Sequence, residues 1–148
     1  MVCAVVQATA AIRSWSALPL VVKGILTAED ARLAADHGVD AIVVSNHGGR
    51  QLDRSAVAID VLEEIAAAVP GMELWVDGGV RRGRDVAIAI ALGARGVLVG
   101  RPLLWALAAG GEAGVGRALA ILREEFEIAM ALLGAPTVHD ITGGHVAR

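Results

Sequence analysis

The sequence contains no tyrosine, a single cysteine and only 4 prolines, and aromatic residues make up just 3% of its 148 positions. One thiol, Cys3, cannot form an internal disulfide, so nothing in the chain calls for an oxidising compartment and a reducing cytosol is the expected location. There is no Cys-x-x-Cys, no His-Glu-x-x-His and no cluster of carboxylates, and the 4 histidines are dispersed; no metal site is implied. Basic residues number 13 against 16 acidic ones, a net charge of -3, and no run of one sign offers a basic face to nucleic acid. Trp15, Trp75 and Trp105 are not interleaved with basic residues and read as core or interface packing with no assigned function. The opening MVCAVVQATAA is apolar, yet it lacks the basic flank of an export signal and falls far short of the roughly 20 residues a membrane span needs. Neither export nor insertion is expected.

What is present is aliphatic. Hydrophobic residues make up 55% of the chain, drawn largely from Ala, Val, Leu and Ile, and that surface has to be buried; a chain of this length can do so as one domain without disulfides or a structural metal. Leu18 to Gly24 reads as a buried strand, followed at Thr27 by the helix-capping run Thr-Ala-Glu-Asp and a helix ending near His37-Gly38. His37 there reads as a partner for the helix C-terminal dipole. Asp40 to Val44 is a second strand, running through the polar loop SNHGGRQLDR into a helix over Val57 to Val69 that Pro70-Gly71 stops. The third unit is strand Glu73 to Val76, loop DGGVRRG and helix Arg84 to Leu92. The fourth is strand Gly96 to Val99, loop GRP and helical residues from Leu103.

A closing helix is predicted over Gly114 to Leu133, with Leu119, Leu122, Phe126 and Met130 on one stripe and Gly134-Ala135-Pro136 as its stop. The tail from Thr137, with His139 and His145, is predicted to be irregular, and residues 1–14 carry neither turn chemistry nor a clear period.

Continuous apolar strands alternating with helices of 10 to 15 residues predict an α/β fold with a parallel sheet. The polar residues lie after each strand's C-terminal end, as Lys23, Ser45-Asn46-His47, Asp77-Gly78-Gly79 and Gly100-Arg101, the place where a (β/α)8 barrel of the TIM type builds its active site. A full barrel needs about 250 residues, so four units make a half barrel plus a C-terminal helix. The domain reading is an unassigned leader at 1–15 and the half barrel at 16–148.

The loops carry the chemistry. DGGVRRG brings glycine backbone and helix N–H groups to where a phosphate can approach, and Arg81 adds a bidentate cation. GRP repeats the arrangement after the next strand with Arg101, and adjacent late-strand loops are where barrels usually hold phosphate. Either loop alone reads equally well as a turn with a solvated arginine; the pair is what points to phosphate. Lys23 at a strand end is open to three readings: a snorkelling side chain, a Schiff-base amine, or a positive charge beside a ligand. His47 and Arg50, three residues apart in one loop, suit a general base beside a carboxylate clamp.

LPLVVKGI, IVVSNHGGRQLD, DGGVRRGRDV and GVLVGRPLLW, in this order and spacing, resemble the family of FMN-dependent α-hydroxy-acid oxidases and dehydrogenases that includes glycolate oxidase, lactate oxidase and mandelate dehydrogenase. The resemblance covers roughly residues 16 to 142. It implies a (β/α)8 barrel, FMN as cofactor, and oxidation of a small α-hydroxy acid to the α-keto acid. It also implies Lys23 near the flavin N1 and C2 carbonyl, Ser45 as a flavin contact and Asp77 as a ribityl contact. Gly78, Gly79, Arg81, Gly100 and Arg101 match the family's phosphate cradle, and Val80 between them is an implied cofactor-binding residue. His47 is the implied base, and Arg50 the partner of the substrate carboxylate.

The family's N-terminal half, with its substrate-lining tyrosines, a second substrate arginine and the aspartate that orients the histidine, has no counterpart here. Met1 to Arg13 do not resemble what precedes LPLVVKGI in the family, as truncation, a changed start or a rearranged gene would produce. The expectation is therefore a fragment that works as a homo-oligomer or with a complementary half barrel. The alternatives are a non-catalytic flavin- or phosphate-binding remnant and another phosphate-binding barrel enzyme, such as an aldolase using Lys23.

Overall fold

The computed structural model describes the backbone of residues 2–147 and the side chains of residues 8–147; the Cys3 side chain lies outside the described residues. Four parallel strands, β1 (Val21–Ile25), β2 (Ala41–Ser45), β3 (Glu73–Asp77) and β4 (Gly96–Leu98), form one sheet in sequential order. Helices α2 (Ala28–Asp36), α3 (Ala58–Ala68) and α4 (Gly83–Ala91) make the connections. This is the architecture of consecutive β/α units of a (β/α)8 barrel, as the strand–helix rhythm predicts.

The helices cover one face of the sheet. Ile42, Val44, Leu74 and Val76 alternate outward from β2 and β3 and pack with Ala31, Leu62, Ile65 and Ala89 into the core. The opposite face has no helical layer: Val21 is 51% exposed, Lys23 and Glu73 are exposed, and Trp75 is half-buried. The pairing Trp75↔Gly96 matters on this face. A Cβ at Gly96 would lie 2.5 Å from the Trp75 ring, so the indole lies across the neighbouring strand.

Several boundaries differ from the sequence reading for identifiable reasons. The first 3 residues of the run Leu18–Gly24 are not strand, since Pro19 offers no N–H to a ladder and Leu18 is 75% exposed. Instead the backbone there is tied by Asp40, whose carboxylate accepts from Leu20 N at 2.6 Å and pairs with Arg13. Residues Val2–Trp15, which carry no legible period, form helix α1; Arg13 in its last turn also donates to the carbonyls of Leu18 and Gly38, docking it beside α2. Thr27 caps α2 as predicted, its hydroxyl accepting from Asp30 N at 3.1 Å, and His37 Nδ1 sits 2.8 Å from Leu33 O at that helix's end.

The largest difference is α5 (Arg101–Leu133), which joins the fourth unit's helix to the closing helix. It is broken at Gly110 and Gly111, where Gly111 adopts φ 57° and ψ -143°. The break folds the two segments together so tightly that a Cβ at Gly114 would sit 2.2 Å from Ala106 O. The predicted apolar stripe is only partly covered, with Leu119 49% exposed and Leu122, Phe126 and Met130 half-buried. Gly134 stops α5 in the left-handed conformation. The tail is more ordered than predicted, holding 3-10 turns at Val138–Asp140 and Gly143–His145. Among the described residues no helix is long and apolar enough to cross a membrane.

Candidate active site

The C-terminal ends of β1, β2 and β3 each deliver one polar side chain, and the three meet. Lys23 Nζ lies 2.7 Å from Asp77 Oδ2 and donates to Ser45 Oγ at 3.0 Å. Ser45 Oγ donates to Asp77 Oδ2 at 2.6 Å and accepts from His47 N at 3.0 Å. Ser45 is fully buried, and these three partners satisfy its hydroxyl, which is the condition for placing a polar group there at all. Burial pushes the Asp77 carboxyl up, but hydrogen bonds from Lys23 and Ser45, with the charges of Lys23 and His47, hold it below the ordinary carboxylate value.

His47 follows in a 3-10 turn, with φ 55° at the histidine itself. The turn is closed by the Asn46 side chain, which accepts from Gly49 N at 3.2 Å. The imidazole lies over the end of β1, where a Cβ at Gly24 would be 2.8 Å from His47 Nε2. Gly24 is thus a site residue the sequence reading passed over, its role being to leave room for the ring. Among the described residues no hydrogen bond fixes the imidazole. Arg50 is exposed on the same loop.

After β3, Gly78 and Gly79 take φ values of 107° and 82°, so the DGGVRRG loop needs glycine where it turns. One expectation changes here. The amides of Arg81 and Arg82 donate to Asp85 Oδ2 at 2.8 and 2.9 Å, and Gly83 N donates to Glu125 Oε2 at 2.9 Å. Protein carboxylates therefore already occupy the α4 N-terminal amides, and among the described residues no side chain or loop carbonyl engages the amides of Gly79 and Val80. Arg81 lies over the Trp105 ring, 5.4 Å from its centroid, so Trp105, read only as packing, carries a cation–π contact from the start of α5. Arg101 at the same helix start reaches back toward the histidine loop, its Nη2 3.5 Å from where a Gly48 Cβ would stand.

All these groups open onto one cleft of about 550 Å³ at the C-terminal edge of the sheet. Lys23, His47, Arg50, Asp77, Arg81 and Arg101 line it, as do the glycines 78, 79 and 100 and Val80; Ser45 lies buried beneath. Every residue nominated from the sequence is thus in or directly under a single concavity. Four cations and one carboxylate face it, on a chain whose net charge is -3. Among the described residues no group of His, Cys, Asp or Glu is arranged to hold a metal.

A family model described as FMN-dependent dehydrogenase matches residues 4–148, the cleft and its loops included. The chain belongs to this family. A peroxisomal (S)-2-hydroxyacid oxidase of Arabidopsis thaliana is 57% identical over 136 residues, 91% of this chain and 38% of the relative. An L-lactate oxidase of Nostoc is 53% identical over 131 residues, 88% of this chain and 36% of the relative. A crystal structure of mandelate oxidase with benzoyl-formic acid superposes with a TM-score of 0.88 at 54% identity, over 90% of this chain and 40% of that one. The chain therefore spans about two-fifths of the length of the relatives it matches. Helix α1 lies almost wholly within the family match.

The cleft fits the group in the family's name. Its volume is within the ~300–1,000 Å³ usual for cofactor sites, a Cβ at Gly79 or Gly100 would meet nothing within 4 Å, and the excess of cations suits a phosphate at one end and a carboxylate at the other.

Proposed function

We propose that this chain supplies the FMN-holding, base-bearing half of a barrel that oxidises a small α-hydroxy acid to the α-keto acid. The observation that carries the reading is the convergence of His47, Arg50, Lys23 and both arginine loops on one cleft. FMN, when bound, supplies the two-electron acceptor. Arg81, Arg101 and the loop amides of Gly79 and Val80 would hold its phosphate. Asp77 would meet the ribityl chain, with Gly78 and Gly100 leaving the backbone close. Lys23, held by Asp77 and Ser45, places a fixed positive charge deeper in the cleft, where the ring system would lie. Arg50 pairs with the substrate carboxylate through two parallel hydrogen bonds and so sets the orientation of the α-carbon. His47 takes the hydroxyl proton and becomes imidazolium.

The substrate class follows from the relatives, whose names specify 2-hydroxy acids, lactate and mandelate. The partly exposed inner face of the sheet and the edges of β1 and β4, unpaired among the described residues, call for a complementary half barrel, on the same polypeptide, on another, or in a second copy. The aldolase alternative has little support, because the Lys23 ammonium is engaged by a carboxylate 2.7 Å away rather than presented as a free amine. A non-catalytic flavin binder is the second reading, favoured by a cleft whose cations Lys23, Arg81 and Arg101 suit a flavin phosphate and ring with no part played by the base. One experiment separates them: titration of the purified chain with FMN by visible absorption, followed by anaerobic addition of glycolate, lactate and mandelate. A perturbed flavin band that bleaches supports the catalytic reading. Perturbation without bleaching supports the binder, and an unperturbed band overturns both for this chain alone.

A further inference from the structure

We infer that Glu125 is a positioning residue for the cofactor phosphate: by clamping the start of α4 to α5, it holds the loop after β3 with its Gly79 and Val80 amides and Arg81 guanidinium turned into the cleft. The inference rests on the FMN reading given above. Glu125 grips with both oxygens, Oε1 accepting from Arg82 Nη1 at 2.9 Å and Oε2 from Gly83 N at 2.9 Å. The two helices touch through their backbones at this point, since a Cβ at Gly83 would lie 2.1 Å from Phe126 N and 2.4 Å from Glu125 C. Any larger residue at 83 would push α5 away and pull the carboxylate from its partners.

The clamp also decides where an anion can sit. With Asp85 holding the Arg81 and Arg82 amides and Glu125 holding that of Gly83, the helix terminus is closed to phosphate, which is directed to the loop amides and the arginines instead. The same folded α5 approaches the loop a second time. Its first segment lays Trp105 against Arg81, its second brings Glu125 to Arg82 and Gly83, and the break at Gly110 and Gly111 lets one element do both. Hydrogen bonds from the Gly83 amide and the Arg82 guanidinium hold the Glu125 carboxyl below the ordinary range, so the clamp stays charged at neutral pH.

The test compares FMN with riboflavin, which lacks the phosphate, in the unsubstituted chain, Glu125→Gln and Gly83→Ala. A phosphate-positioning role predicts that Glu125→Gln weakens FMN about tenfold, equivalent to about 1.4 kcal/mol, with riboflavin affinity unchanged, and that Gly83→Ala acts in the same direction. Equal losses for both ligands, or no loss for either, would overturn it, because a helix-to-helix tie alone has no preference for a phosphate. If the unsubstituted chain binds neither flavin, the functional reading fails for this chain alone, and the clamp is judged on the ligand-free chain. There, Gly79 and Val80 amide resonances shifted or broadened by Glu125→Gln support the positioning role. Resonances that do not move refute it.

Discussion

Ser45 shows how one side chain can organise a site without lining it. It joins Lys23, Asp77 and the His47 backbone, so the placement of the charge and that of the base are coupled through a single hydroxyl. Asp77→Asn keeps the shape but removes the negative charge. It is expected to cost about 1 kcal/mol, little more because Lys23 is 39% exposed and partly screened. The folded Asp77 carboxyl titrates below its ordinary 3.8, so its contribution is complete above that value and is lost as the pH falls through the lowered one. Urea denaturation should therefore separate the two proteins at pH 7 and bring them progressively together as the pH falls below the ordinary carboxylate value; a gap that does not narrow in acid contradicts this account of the ion pair. His47→Gln, under the proposed function, should retain FMN affinity and slow anaerobic flavin bleaching by about 10²–10⁴-fold, read by stopped-flow absorbance. At this scale the sequence was informative, because strand ends followed by Lys, Ser, His, Asp and Gly-Arg announce a barrel mouth. Gly24, Trp105 and Glu125 were not legible. Their roles depend on contacts between residues far apart in the chain, up to 43 positions for Glu125, and a glycine or a helical glutamate carries no local mark of them.

The elements themselves were legible wherever periodicity and capping agree. Thr27 and Gly134 mark real helix ends, and the strands fall within a few residues of the apolar runs. Helix α1 was missed because its Ala- and Val-rich sequence has no cap signal and its amphipathicity is weak; it is secured by Arg13, through contacts no local pattern reveals. The break in α5 was missed for a different reason. Two adjacent glycines lower helix propensity, but only the tertiary approach of Gly114 to Ala106 shows that they turn the chain. Gly111 carries φ 57° with ψ -143°, a region almost closed to other residues. Gly111→Val is expected to lower stability by about 1–3 kcal/mol, seen as a drop in Tm, whereas the same change at Gly116, where a Cβ meets nothing within 4 Å, should cost much less. Similar losses at both positions would mean that the fold-back in α5 is not held as described.

At the scale of the molecule, helices cover one face of the sheet, while on the other β2 is buried but Val21 and Lys23 of β1 stand exposed. β1 and β4 present unpaired edges, and Leu18, Val21, Leu104 and Trp105 are all more than half exposed. A chain in this form should self-associate. Sedimentation velocity at micromolar concentrations is expected to show species larger than a monomer, and Val21→Lys on the β1 edge should shift them toward monomer; a purely monomeric parent chain would contradict this. The four cations at the cleft also have a kinetic consequence. The molecule as a whole is acidic, yet four cations face this cleft against one carboxylate, and such a local field governs how quickly an anion arrives as well as how firmly it stays. Capture of FMN should slow steeply between low and physiological ionic strength, where the Debye length shrinks to about 8 Å, while uncharged riboflavin should arrive at the same rate in either. The cleft would then act as a funnel before it acts as a site.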